Sequence, residues 1–192
     1  LSEWQSALDG IRAGDPGSFD VFISLAQNTV YSFGRKVCGH VEDAEDTMQQ
    51  TLLKAFEELP QLQFTDEKAL RVWLYKVAKN VCLMMRRKGK FEPVEHLSLE
   101  QLMPDRAAIA DWTVLPDEFI ASRQTHERVH QAIQKLGPDY KLVLVLRDME
   151  DMSTGEVAAI LGISEQNVKI RLHRARLFLR RELEQSFFYG SK

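Results

Sequence analysis

His126-Glu127-Arg128-Val129-His130 spells H-E-x-x-H, the helical motif in which two imidazoles one turn apart hold zinc and the glutamate acts as general base. That chemistry needs a third ligand and a cleft, and the sequence offers neither. Val129, Ile133 and Leu136 fall at helical spacing and suit the core of a small helical body instead. Cys38 and His40 are too few for a metal site. The chain's two cysteines, Cys38 and Cys82, read as too few and too isolated for a disulfide framework. Glu42, Asp43, Glu45 and Asp46 imitate a catalytic carboxylate set, yet acids in a first helical turn docking on a basic partner explain them without chemistry.

Two basic stretches point elsewhere. Lys68 to Phe91 holds eight lysines and arginines and no acid. At about 100° per residue, Leu70, Trp73, Leu74, Val77, Ala78, Val81, Met84 and Met85 share the arc expected to be buried. Arg71, Tyr75, Lys76, Lys79, Asn80, Arg86 and Arg87 share the other. Cations that neutralise phosphate, a ring that stacks and an amide that reads base edges suit nucleic acid. A solvated helix face or a membrane-surface helix would show the same charges, although Trp73 inside a continuous apolar stripe favours a protein core.

In the second stretch, Ser153 and Glu156 form a capping box, Gly162 permits a tight turn, and Ser164 caps a further helix with Val168, Leu172, Ala175 and Leu179 facing inward. This is a helix-turn-helix pattern. Its second helix would meet base edges with Gln166 and Asn167, and phosphates or guanines with Lys169, Arg171, Arg174 and Arg176. A helical hairpin with a solvated basic face is the plainer alternative.

The elements that must carry these residues are helical throughout, because no segment shows sustained strict alternation. Net charge is −3, so any case for nucleic acid rests on where the charges sit. The pattern predicts a first helix around Gly10-Ile11, a second beginning near Ser18 after the breaker pair Pro16-Gly17, a third from Glu42 to Leu59, and a fourth from Glu67 to Lys88. Residues 91–121, with Pro93, Pro104 and Pro116 among scattered acids, read as a linker. The expected organisation is all-α: one domain over 1–90, a flexible acidic linker over 91–121, and a helix-turn-helix domain over 122–192. No apolar stretch approaches the roughly 20 residues needed to cross a bilayer. No signal-peptide pattern opens the chain, and a start at Leu1 suggests that a short natural piece precedes it.

Four segments in order carry a resemblance. Ser164 to Arg176 closely resembles the promoter-reading helix of extracytoplasmic-function (ECF) sigma factors of bacterial RNA polymerase, and Tyr140 to Asp148 resembles their scaffold helix. Asp43-Ala44-Glu45-Asp46 with Gln49 is similar to the segment that docks on the polymerase clamp. Trp73 to Asn80 is similar to the segment that melts the upstream edge of the transcription bubble. The resemblance implies core-polymerase contacts at Asp43, Asp46, Gln49 and Gln50. It implies contacts with the opened minus-ten element at Phe64, Thr65, Asp66, Arg71, Lys76, Lys79, Asn80, Arg86 and Arg87. It implies minus-thirty-five contacts at Arg147, Ser164, Gln166, Asn167, Lys169, Arg171, Arg174 and Arg176.

By the same resemblance, the partners are core RNA polymerase, promoter DNA both duplex and single-stranded, and a membrane-associated anti-sigma factor that holds a cytoplasmic protein until a stress signal. No cofactor, metal, small-molecule substrate or catalytic residue is implied. The sequence departs from the family pattern at Met84, where Asp is usual, at Ile170, where Ser is frequent, and at Leu52 and Leu70, where a large aromatic is common. Ile170 lies inside the reading helix and bears on promoter preference. An ordinary helix-turn-helix regulator and a zinc hydrolase are the competing readings. Only a sigma factor needs the acidic docking helix and the first basic helix together.

Overall fold

The structure, a computed structural model, describes residues 2–59, 64–87 and 123–189, with side chains described for 2–59, 64–85 and 127–185. The predicted linker over 91–121 lies outside them. Every described element is helical. Helix α1 spans Glu3–Arg12, α2 Pro16–Cys38, α3 Val41–Glu58 and α4 Glu67–Arg87. The next described elements are α5 Arg123–Lys135 and α6 Pro138–Leu144, which runs into a π-helical turn over Val145–Met149. Helices α7 Thr154–Leu161 and α8 Glu165–Tyr189 complete the helix-turn-helix.

Two starts differ from the sequence reading, both through caps. Helix α1 begins well before Gly10, because the Ser2 hydroxyl accepts the Gln5 backbone N–H at 3.1 Å. Helix α2 begins at Pro16, not Ser18. The Asp15 carboxylate accepts the backbone N–H groups of Gly17 and Ser18, and Pro16 occupies the first helical position, where its missing N–H costs nothing. Ser18 serves that cap from inside the helix. Its hydroxyl donates to Asp15 at 2.6 Å and, with the Gly17 N–H, holds the Asp15 carboxyl below its ordinary range.

Helices α1 to α4 bury Phe22, Ala26, Val30, Phe33, Leu70 and Leu74. Helices α2 and α3 cross closely at Gly34, where an added Cβ would stand 3.1 Å from Ala44 Cα. Gly34→Val should therefore push the two helices apart and cost about 1–3 kcal/mol, read as a lower urea midpoint. An unchanged midpoint would mean that the crossing at Gly34 and Ala44 has room for a side chain. Helices α5 to α8 bury Ile133, Leu136, Val143, Leu146, Val157, Ile160, Val168, Leu172 and Ala175. The two cores meet in one continuous apolar cluster, because α5 and α6 pack on α2, and α7 packs on α4.

Candidate nucleic-acid interface

The recognition helix is held as the caps demand. Ser153 accepts the Glu156 N–H and the Glu156 carboxylate returns to the Ser153 N–H at 2.7 Å, so the capping box is complete. Gly162 takes the left-handed conformation at φ 68°, which a Cβ would penalise. Ser164 then accepts the Asn167 N–H at 3.2 Å and starts α8. Val168, Leu172, Ala175 and Leu179 are buried, as their spacing predicts. Ser164, Gln166, Asn167, Lys169 and Ile170 are exposed together on the first turns of α8.

The remaining cations of this group stand in two conditions. Arg174 is half-exposed. Arg171 lies 3.4 Å from the Asp139 carboxylate, and Arg176 forms a two-pronged pair with Asp148 at 2.7 and 2.8 Å. That hydrogen-bonded fork raises Arg176 above its already high value. Arg147 donates to the Met152 carbonyl, and its Nε is buried without a hydrogen-bond partner among the described residues.

The face of α4 is where the sequence reading needs correcting. Tyr75 does not stand among the exposed cations. It is 1% exposed, its ring meets Phe33 edge-on at 5.4 Å, and its hydroxyl donates to Glu150 at 2.6 Å. Burial first, and then the negative charge of Glu150, push its phenol well above the ordinary range. Met84 departs in the other direction: it sits at the fringe of its arc and is 38% exposed.

Glu150 follows the π-helical turn, and it ties the two helical bodies together. Its carboxylate also takes the Lys36 ammonium at 2.6 Å, and its carbonyl lies 3.5 Å from the Arg71 guanidinium. One turn along α4, the Lys79 ammonium donates to the Ile160 carbonyl at 3.0 Å, near the electronegative end of α7. Burial, together with the charge of Lys76, lowers Lys79. Burial pushes the Glu156 carboxyl up, but the Ser153 hydrogen bonds and the charges of Lys68 and Arg71 across the seam hold it below its usual range. Thus Arg71, Tyr75 and Lys79 face the second body, while Lys76 and Asn80 are exposed. The side chains of Arg86 and Arg87 lie outside the described residues.

Phe64 packs against Trp73 with ring centroids 5.6 Å apart, and its carbonyl accepts from Arg12. Thr65 and Asp66 are exposed, and Asp66 caps α4 through the Ala69 N–H at 2.9 Å. On α3, Asp43 and Asp46 are half-exposed, and Gln49 and Gln50 are exposed. The structure adds two residues that the sequence reading missed. Leu53 is 57% and Phe56 64% exposed, and they continue the stripe that Gln49 begins. Spacings of four and three residues were the available clue. Two large apolar side chains exposed three residues apart on a helix otherwise rich in polar groups are a candidate contact surface.

Two further residues from the sequence reading find places in the structure. His130 lies 3.2 Å from the Arg35 carbonyl, in the cleft between α2 and α5, while the His126 side chain lies outside the described residues. Cys38 and Cys82 are not isolated: their sulfurs are 3.1 Å apart.

Comparison with known proteins bears on the whole of this arrangement. The family model for Sigma-70 region 2 matches residues 22–92, and that for Sigma-70 region 4 matches residues 126–179. The ECF RNA polymerase sigma factor SigW of Bacillus subtilis is 29% identical over 176 residues, which cover 90% of this chain and 92% of that protein. The RNA polymerase sigma factor YlaC of the same organism is 31% identical over 151 residues, covering 77% of this chain and 81% of that one. Among solved structures, the sigma factor RpoE in complex with the anti-sigma factor NepR from Bartonella quintana superposes with a TM-score of 0.63 at 22% identity, covering 86% of this chain and 96% of that one. CnrH in complex with the cytosolic domain of CnrY gives the same score and identity over 95% and 98%. At that identity the two structures speak for the fold.

Proposed function

The chain belongs to the ECF sigma factors of RNA polymerase, and from that premise we propose how its residues divide the work of starting transcription. It is a transcription initiation factor and not an enzyme. Residues 1–90 dock on the polymerase clamp through α3, using Asp43, Asp46, Gln49 and Gln50 with Leu53 and Phe56 as the apolar contact. The same body holds the opened minus-ten strand with Phe64, Thr65 and Asp66, and with Arg71, Lys76, Lys79, Asn80, Arg86 and Arg87. Residues 122–192 lay α8 into the major groove of the minus-thirty-five element, with Gln166 and Asn167 at base edges and Ser164, Lys169, Arg171, Arg174, Arg176 and Arg147 on or near phosphates. Residues 91–121 form the acidic linker that follows the RNA path. An anti-sigma factor, membrane-associated, holds the protein in the cytoplasm.

The observation that carries this reading is the complete capping box and left-handed Gly162 turn that leave Gln166, Asn167 and Lys169 exposed at the head of α8. The packed seam is the resting state of the free chain, since Arg71 and Lys79 cannot hold a DNA strand while they hold α7 and Glu150. Run-off transcription with core polymerase, with and without the protein, tests the whole. Transcripts from a defined start only when the protein is present are expected, and their absence sinks the proposal.

The α8 assignment has its own check. Each phosphate contact releases a condensed counterion, so Arg174→Ala should weaken minus-thirty-five binding and lower the slope of log affinity against log salt by about 0.9. A salt slope equal to that of the unsubstituted protein would take Arg174 off the DNA.

A further inference from the structure

We propose that Cys38 and Cys82 form a redox-modification site, a dithiol that a hydroperoxide converts reversibly into an intramolecular disulfide tying the end of α2 to α4. Their sulfurs are 3.1 Å apart although the residues are 44 positions apart in sequence. A disulfide bond is about 2.05 Å long, so side-chain rotation has about 1 Å to close. The pair lies where three helices converge. Thr47 of α3 is 3.7 Å from the Cys38 sulfur and also donates to the Met85 sulfur of α4 at 3.7 Å.

The two thiols have different exposures, which sets their order of reaction. Cys38 is half-buried, at the last position of α2, whereas Cys82 is only 5% exposed. The Cys82 hydrogen bond holds the Cys38 thiol below its ordinary value, with Thr47 and the Lys141 ammonium acting in the same direction against burial and the charge of Asp43. Lys141 belongs to α6 and is 5% exposed, fixed by the Gln134 carbonyl and side-chain oxygen. Gln134 in turn donates to the Lys36 carbonyl at 2.9 Å. The dithiol therefore sits at the foot of the seam between the two bodies.

Cys38 thiolate attacks one oxygen of the hydroperoxide and the O–O bond breaks. With hydrogen peroxide, the departing hydroxide takes a proton and leaves as water, and Cys38 becomes a sulfenic acid. Cys82 then attacks the Cys38 sulfur and gives up its proton. The S–O bond breaks, and a second water leaves. Two thiols and one peroxide become one disulfide and two waters, and a small thiol reverses the step by exchange.

The full chain treated with a slight excess of hydrogen peroxide should lose both free thiols and two hydrogens of mass, and should yield a peptide joining residues 38 and 82. Dithiothreitol should restore it. The closed loop encloses all of α3, so the oxidised chain should melt on the order of 10 °C higher. Treated alike, Cys82→Ser should trap Cys38 as a sulfenic acid that dimedone labels. Persistent thiols, oxygen added to Cys38 without a cross-link, or a disulfide between two chains would each overturn the proposal. A melting temperature that does not rise would overturn the tie between α2 and α4, and an unlabelled Cys82→Ser chain would overturn the order of attack.

Discussion

Replacing Glu150 with alanine should release the two helical bodies from each other and raise the radius of gyration in solution scattering. The Glu150 side chain is 9% and that of its partner Lys36 23% exposed, so this pair is far from a surface salt bridge. Its carboxylate also accepts the Tyr75 hydroxyl. Removing it leaves a largely buried ammonium and a buried phenol without their acceptor. Breaking a buried pair from one side costs about 3–5 kcal/mol, and the residual exposure of Lys36 argues for the low end. Closed and open arrangements separated by a few kcal/mol would then exchange their order. Helix content should hold, because the caps of α6, α7 and α8 do not involve Glu150. Glu150→Gln keeps an acceptor for Tyr75 but loses the charge opposite Lys36, so it should fall between. A Glu150→Ala chain as compact as the parent would mean that apolar contact alone holds the seam.

The second large effect is expected on α3. Phe56→Ala should lower affinity for core polymerase about 30-fold while leaving the melting temperature nearly unchanged. An aromatic anchor at the centre of an interface is commonly worth about 2 kcal/mol or more. The ring is 64% exposed and touches Phe19 at 5.7 Å, so it gives the free chain little core. Asp46→Ala should act differently, slowing association and weakening its salt dependence, as a steering charge does. Titration of labelled core polymerase at two salt concentrations separates the cases. Equal affinities for Phe56→Ala and the parent would remove the apolar stripe from the docking surface.

How much could be read in advance followed the range of the interactions. The helix-turn-helix was legible because each of its determinants is local: Ser153 reaches three residues to Glu156, Gly162 needs only its own φ, and Ser164 reaches three residues to Asn167. Asp15 was equally local, but Pro16 reads as a breaker unless its cap is noticed. Tyr75 was misplaced for a physical reason. A helical wheel assumes one buried face, and α4 has two, one packed on α2 and α3 and the other on α7. The partner of Tyr75, Glu150, lies 75 residues away, beyond any periodicity. The nearness of Cys38 and Cys82 escaped for the same cause. Leu53 and Phe56 were within reach, since a stripe continuing from Gln49 needs only the helical period.

The Lys79 contact with the Ile160 carbonyl makes the chain its own competitor. A cation assigned to a DNA strand is already occupied by the last turn of the helix that precedes the recognition helix. A ligand that needs Lys79 or Arg71 therefore binds with an affinity scaled by the fraction of chains in which the seam is open. Whichever ligand arrives first bears the cost of opening, and the next finds it already met. If the proposed docking on α3 also opens the seam, reciprocity requires the same factor in either order, and polymerase should favour promoter DNA by as much as promoter DNA favours polymerase. Two surfaces that never touch would thereby become cooperative through the seam that Lys79 and Glu150 hold together.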